Sequence, residues 1–110
     1  MKETEKMQSY MTELRRGSLT LAVLGSLNKP YYGYALLEYL NGRGIDIEAN
    51  TLYPLMRRLE TQGLLTSDWD TTEARPRKYY SISPDGRELY LSLYNEWKRL
   101  GAQINEICEV

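Results

Sequence analysis

Hydrophobic positions near the start of the chain recur with a helical period. Met7, Tyr10, Met11 and Leu14 stand at i, i+3, i+4 and i+7, which makes one apolar stripe on a helix. Past Gly17, a broader face is formed by Leu21, Leu24 and Leu27, with Leu19 and Val23 beside them. The pattern predicts helix from Glu5 to Asn28. Gly17 and Gly25 each lower helix propensity within it by about 1 kcal/mol relative to Ala. Lys29-Pro30 ends this stretch, because the residue before a proline is driven out of the helical region. YYGYALLEYL then returns to a helical face through Leu36, Leu37 and Leu40, and Gly42 and Gly44 close it. The alternating isoleucines of GIDIEAN predict a short strand or an extended link.

That link leads into NTLYPLMRRLETQG. At 100° per residue, Leu52, Leu55, Met56 and Leu59 converge on one side of a helix. The opposite side carries Asn50, Pro54, Arg57 and Thr61, flanked by Thr51, Tyr53 and Arg58. Pro54 suits the first turn, where its missing N–H has no partner to lose, so the cap is expected at Asn50 or Thr51. Gly63 supplies the stop. Two roles are open to such a helix: entering the major groove of DNA, or lying on the surface with two solvated arginines. Its neighbours decide between them.

After Gly63 the period drops to two. LLTSDWD and RKYYSIS are β-branched and aromatic runs separated by the polar TTEARP, which predicts a hairpin with Leu65, Trp69, Tyr80 and Ile82 toward the core. Three helices followed by a hairpin with a basic end form the layout of a winged helix-turn-helix, an α+β fold that is mainly α. In that layout the wing reaches a phosphate strand or the minor groove. Ser83-Pro84-Asp85 then opens a last helix with a Ser cap, Pro at the first position and an acid at the positive dipole end. It runs for about 25 residues, or about 37 Å at 1.5 Å per residue. Leu89, Leu93, Trp97, Leu100, Ile104 and Ile107 form a coiled-coil-like seam along it. The outer half outruns a body of this size and must bury its stripe on something else, most simply a twofold copy of itself. The Met7, Tyr10 and Met11 stripe is likewise surplus to a small core and suits a partner subunit. The chain thus divides into residues 1–82, an N-terminal helix plus a DNA-binding winged helix, and residues 83–110, a dimerisation helix.

The 110 residues suffice for one modest core. A hydrophobic fraction of 42% and a charged fraction of 26% suit a folded protein with a hydrated surface. No apolar run is long enough to span a bilayer, and MKETEKMQ has no signal-peptide pattern, so a cytoplasmic location is expected. With no His and the single Cys108, one chain offers neither a zinc site nor histidine-based acid–base chemistry. Phosphate loops and nucleophile–base pairs are also missing, so no enzyme and no cofactor is expected. The net charge of −1 speaks against nucleic-acid binding, but phosphates feel only nearby charges. Arg75, Arg77 and Lys78 stand close together with no acid between them.

In order, RRGSLTLAVLGSL, KPYYGYALLEYL, NTLYPLMRRLETQGLL and RPRKYYSISPDGRELY resemble the PadR-type transcriptional regulators. The match is to the smaller subfamily with a single helix after the wing, and it runs from Leu14 to Ile107. Its most specific pieces are Tyr32-Gly33-Tyr34, Thr51-Leu52-Tyr53-Pro54-Leu55 with Arg57-Arg58-Leu59-Glu60, and Arg77-Lys78-Tyr79-Tyr80 followed by Gly86. The resemblance implies a homodimeric repressor on double-stranded operator DNA, and two reading helices in adjacent major grooves would demand a palindromic site. The central helix reads bases, the wing grips the backbone, and the last helix builds the dimer with the first. Some members hold flat aromatic or drug-like effectors near a tryptophan on the last helix, and Trp97 stands at that place. The wing loop departs from the family in carrying Glu73 and Pro76 where a Gly-rich tip is common.

The DNA-facing set is then Tyr34, Asn50, Thr51, Tyr53, Pro54, Arg57, Arg58, Arg75, Arg77 and Lys78. Arg57 is placed to fork onto a guanine edge, and Arg58, to one side, to meet phosphate. Tyr53 suits a phosphate donor or a wedge against the preceding helix, and Tyr34 a phosphate donor or a cover over Leu37. Trp97 suits dimer core or a ligand platform walled by Tyr90, Leu93 and Tyr94. Cys108, between Glu106 and Glu109, is expected to be inert. A winged-helix adaptor that binds protein instead of DNA is the competing expectation, because one fold hosts many functions.

Overall fold

The structure is a computed structural model that describes residues 2–109. Its elements are α1 (Glu3–Arg16), α2 (Leu19–Ser26), β1 (Tyr31–Tyr32), α3 (Gly33–Gly42), α4 (Ala49–Thr61), β2 (Leu65–Asp70), β3 (Arg77–Ile82) and α5 (Pro84–Cys108). A small antiparallel sheet in the order β1-β3-β2 closes one side of the helices. This is the winged helix-turn-helix expected from the pattern.

The core is built by side chains from every layer. Val23, Leu24 and Leu27 of α2, Leu36 and Leu40 of α3, and Leu52, Leu55, Met56 and Leu59 of α4 meet Ile47 and Leu65. All four apolar positions read from the period of α4 are buried. Its end is a Schellman motif: Leu64 N donates to Leu59 O at 2.9 Å and Gly63 N to Glu60 O at 3.0 Å, with Gly63 at φ 78°. Ile45, Gly44 and Leu40 repeat that arrangement at the end of α3, with Gly44 at φ 87°. Ser83 accepts from Gly86 N at 2.9 Å through Oγ and donates to Gly63 O at 2.7 Å, so one side chain both caps α5 and ties it to the end of α4.

Several expectations need correction. The stretch from Glu5 to Asn28 is two helices, broken at Gly17-Ser18, because α1 has no buried residue and nothing forces the two stripes onto one axis. Tyr31 and Tyr32 do not begin α3 but pair with Tyr80 and Tyr79 of β3. Residues 45–48 form an extended link, not a strand. The cap of α4 is Glu48, with no side-chain cap bond, so Asn50 and Thr51 lie inside the first turn. Pro54 therefore falls in the second turn. It lies on the exposed face, where the Asn50 carbonyl left unbonded by its ring meets solvent. Trp69 is 62% exposed. It shares a sheet face with Leu65, as alternation requires, but the hairpin has by then run past the core.

α5 is the predicted 25-residue helix. Leu89, Tyr90 and Leu93 pack against the core, while Trp97, Leu100, Ile104 and Ile107 are exposed. This overhang contributes to a long axis of 57 Å. Two glycines permit the packing of its first turns. A Cβ on Gly86 would lie 2.0 Å from Leu64 O, and one on Gly25 would lie 2.8 Å from the Tyr90 ring. No helix of the described residues is long and apolar enough to cross a membrane.

Candidate nucleic-acid interface

Burial of Leu52, Leu55, Met56 and Leu59 decides which way α4 turns its remaining side chains. Asn50, Thr51, Pro54, Arg57 and Arg58 are all exposed. With neither Asn50 nor Thr51 consumed as a cap, the first turn presents an amide and a hydroxyl together. Arg57 and Arg58 make no ion pair among the described residues. Tyr53 turns inward instead: it is half-buried against the core, and its ring would lie 3.3 Å from a Cβ placed on Gly33. The packing thus favours the wedge role for Tyr53. Tyr34 is exposed, and the neighbouring Glu38 carboxylate raises its phenol pKa.

The wing stands beside this face. β2 and β3 pair from Leu65↔Ile82 out to Asp70↔Arg77, leaving residues 71–76 as an exposed loop. Arg75 and Arg77 are exposed, with Arg77 3.3 Å from Glu73. Lys78 is held differently. Its ammonium lies 3.2 Å from Glu60 of α4 and 5.1 Å from the centroid of Tyr80. Burial pulls the Lys78 pKa down, but the hydrogen bond to Glu60 and the nearby Tyr80 outweigh it and leave it raised. Glu60 is lowered, first by a hydrogen bond from Ser67 and then by Lys78, against the opposing effect of burial. Glu60 therefore joins the end of α4 to both wing strands, and Lys78 already has an intramolecular partner. The sequence offered no sign of this role for Glu60, eighteen residues from Lys78.

A second group of predicted residues comes together on α5. The rings of Tyr90 and Tyr94 stack with centroids 6.0 Å apart and planes 7° from parallel, and Tyr94 and Trp97 follow at 6.2 Å and 15°. All three line a cleft of about 550 Å³ walled by α2 and α3, with Arg15, Tyr39 and Arg43 also on its lining. Arg43 lies 5.1 Å over the Tyr39 ring. Leu93 is not on this cleft. It lines a neighbouring groove with Leu14, Leu21, Trp97 and Leu100. Tyr39, Arg15 and Arg43 carried no sequence signal for this site, because Arg15 comes from α1 and the other two from the end of α3, and only tertiary packing brings them to α5.

The apolar positions expected at a partner fall into two sets. Met7, Tyr10 and Met11 of α1 and Trp97, Leu100, Ile104 and Ile107 of α5 are exposed, whereas Leu89 and Leu93 face the body.

Comparison with known proteins agrees with this geometry. Residues 20–92 match the transcriptional regulator PadR-like family. Transcriptional regulator Rv3488 of Mycobacterium tuberculosis is 33% identical over 78 residues, covering 70% of this chain and 73% of that protein. The crystal structure of a PadR family transcriptional regulator from Eggerthella lenta superposes with a TM-score of 0.91 at 46% identity, covering 97% of this chain and 96% of the other. A Streptococcus transcriptional regulator superposes at 0.79 with 31% identity, covering 87% and 97%. The match thus spans the helix-turn-helix, the wing and the packed part of α5, and the chain belongs to the PadR-like family of transcriptional regulators.

Proposed function

We propose that this regulator is a homodimeric repressor that binds palindromic operator DNA and is released by a small aromatic effector. The observation that carries the DNA-binding part is α4: four buried apolar residues fix its rotation, and Asn50, Thr51, Pro54, Arg57 and Arg58 are left as one exposed polar face beside a wing that exposes Arg75 and Arg77. Arg57 is the candidate for a guanine edge. Arg58, Arg75 and Arg77 are the candidates for phosphate, which asks only for charge and reach. Lys78 serves through Glu60, by holding the wing against α4, as well as through its charge.

Dimerisation is supported by the apolar side chains that nothing covers. Met7, Tyr10 and Met11 of α1 and Trp97, Leu100, Ile104 and Ile107 of outer α5 stay exposed on a single chain, the kind of apolar surface that a stable interface buries at about 800 Å² per partner. In this reading the winged helix within residues 1–82 binds DNA, and residues 83–110 clasp the partner together with α1. Two α4 helices then enter successive major grooves about 34 Å apart, which demands a palindrome.

The stacked ladder of Tyr90, Tyr94 and Trp97 supports the effector. Flat rings match its planes, and Arg15 and Arg43 in the same cleft favour an acidic substituent. Because Trp97 also lies on the exposed seam, a ligand there changes the face through which the subunits meet. The test is an anisotropy titration with the duplex upstream of the regulator's own gene. Tight binding there, weak binding to a scrambled duplex, and release by an aromatic acid that quenches tryptophan emission are expected. Equal affinity for both duplexes removes the proposal.

A further inference from the structure

The wing is tied to the start of α3 by one side-chain bond that crosses the sheet. Tyr32, the last residue of β1, donates its hydroxyl to Asp70 Oδ2 at 2.5 Å. β1 pairs only with β3, and Asp70 ends β2 on the far side, so the phenol reaches over a whole strand. Asp70 pairs with Arg77, the first residue of β3, which puts the bond where the exposed loop of residues 71–76 begins. The other Asp70 oxygen accepts from Thr72 N at 3.1 Å and Thr72 Oγ1 at 2.7 Å, closing the first turn of that loop. The Arg77 guanidinium lies 4.3 Å from the centroid of the Tyr32 ring, and Tyr79 meets the same ring edge-on at 6.3 Å. Tyr32 thus bonds the acid that turns the loop and carries the cation that leaves it.

We propose that Tyr32 and Asp70 form a latch that sets the wing's angle against α3 and α4 and holds Arg77 ready for a phosphate, without either residue touching DNA. This rests on the DNA-binding reading above and adds two positioning residues to it. The connection to the reading helix is short. Tyr32 precedes Gly33, the first residue of α3, and Gly33 is packed by the Tyr53 ring of α4. A hairpin that has run beyond its core keeps freedom to swing, and a bond onto a carboxylate is the charge-assisted kind that resists it. Tyr32 hydrogen bonding, followed by the two bonds from Thr72, holds the Asp70 carboxyl down at about 2, so the acceptor is ionised throughout the neutral range. Without the latch, only the fraction of molecules with the wing in place binds fully, and apparent affinity falls by that fraction.

Tyr32→Phe removes the hydroxyl and keeps the ring beneath Arg77. Asp70→Ala removes the acceptor, and Asp70→Asn keeps an amide oxygen in its place. In anisotropy titrations with the upstream duplex, Tyr32→Phe and Asp70→Ala are each expected to weaken binding by about fivefold to tenfold. The double variant should do no worse than Asp70→Ala alone, which already loses the Tyr32 bond together with the two from Thr72. Asp70→Asn should recover part of the loss. Amide exchange across residues 70–77 should quicken in Tyr32→Phe, with the helix amides unchanged. Binding equal to the parent in Tyr32→Phe, multiplying losses in the double variant, or unchanged exchange in the wing overturns the latch while DNA binding stands. A parent protein that cannot tell the upstream duplex from a scrambled one overturns the DNA-binding reading instead, whatever the wing amides do.

Discussion

Gly86→Ala is the most demanding single-methyl test of how α5 is seated. The added Cβ would stand 2.0 Å from Leu64 O, 3.0 Å from Leu64 C and 2.9 Å from Ile82 Cγ1. Relief of the first contact alone needs a displacement of more than about 1 Å, since carbon and oxygen rest well beyond 3 Å apart. Neither side can give that freely. Leu64 O accepts from Ser83 N at 3.1 Å, and Ser83 Oγ bridges Gly86 N and Gly63 O. Moving α5 away therefore strains or breaks a buried hydrogen bond, worth about 1 kcal/mol, on top of about 1–3 kcal/mol for overpacking. Against this stands the helix preference for Ala over Gly, at most about 1 kcal/mol and less in a first turn. The net expectation is a loss of about 2–3 kcal/mol, a fall in Tm of roughly 10 °C for a chain of this length. The assay is a thermal melt followed by far-UV circular dichroism at one fixed protomer concentration, because subunit association shifts Tm. Gly17→Ala is the control. Nothing lies within 4 Å of its Cβ and its φ of −66° suits alanine, so Tm should hold or rise slightly. A Gly86→Ala protein as stable as the parent would show that α5 is not seated by this contact.

Further expectations concern the interface and its electrostatics. Arg57→Ala should relax discrimination at particular base pairs by about 1–3 kcal/mol, read by titrating single-substitution operators, and a uniform loss across all duplexes would make Arg57 a phosphate contact instead. Arg77→Ala should reduce the slope of log affinity against log salt by about 0.9, whereas Lys78→Ala, whose ammonium is paired with Glu60, should lower Tm more than it changes that slope. In Tyr32→Phe the Asp70 carboxyl should rise from about 2 toward its ordinary 3.8, followed by carboxyl chemical shift against pH. Because the folded value is depressed, this stabilisation is full above about 3.8 and is lost as pH falls toward 2. The variant should therefore lose less stability over that acid window than the parent, and identical acid melts would count against the bond. Trp97→Ala should abolish the fluorescence response to aromatic acids; a persisting response would move the effector to Trp69 or elsewhere.

Much of this architecture is visible in the chain because its cause is local. The period of α4 names its four buried residues, and Ser83-Pro84-Asp85 announces the cap of α5 through bonds made within one turn. Gly63 marks a Schellman end, since only glycine takes its φ without strain. The errors arise where a distant partner decides. Two apolar stripes look like one helix because sequence cannot say that α1 leaves the body at Gly17-Ser18. Tyr31 and Tyr32 are too short a run to read as a strand without β3 beside them. Alternation assigned Trp69 to the correct face of the hairpin but could not say where the core beneath it stops. In the candidate site, Arg57, Arg58, Arg75 and Arg77 were legible as outward cations. Glu60, Tyr32 and Asp70 were not, because each acts through a residue 18 or 38 positions away.

In the proposed dimer, two chains clasp through α1 and outer α5 so that two α4 helices face one duplex. The mass of the complex formed on the palindromic duplex upstream of the regulator's own gene, measured by sedimentation equilibrium at near-stoichiometric concentrations, tests it most directly. Two chains per duplex are expected, with Ile104→Glu, on the exposed seam of α5, reducing both the protein's own mass and its affinity. One chain per duplex, bound as tightly to half a palindrome as to a whole one, would rule out the proposed dimer.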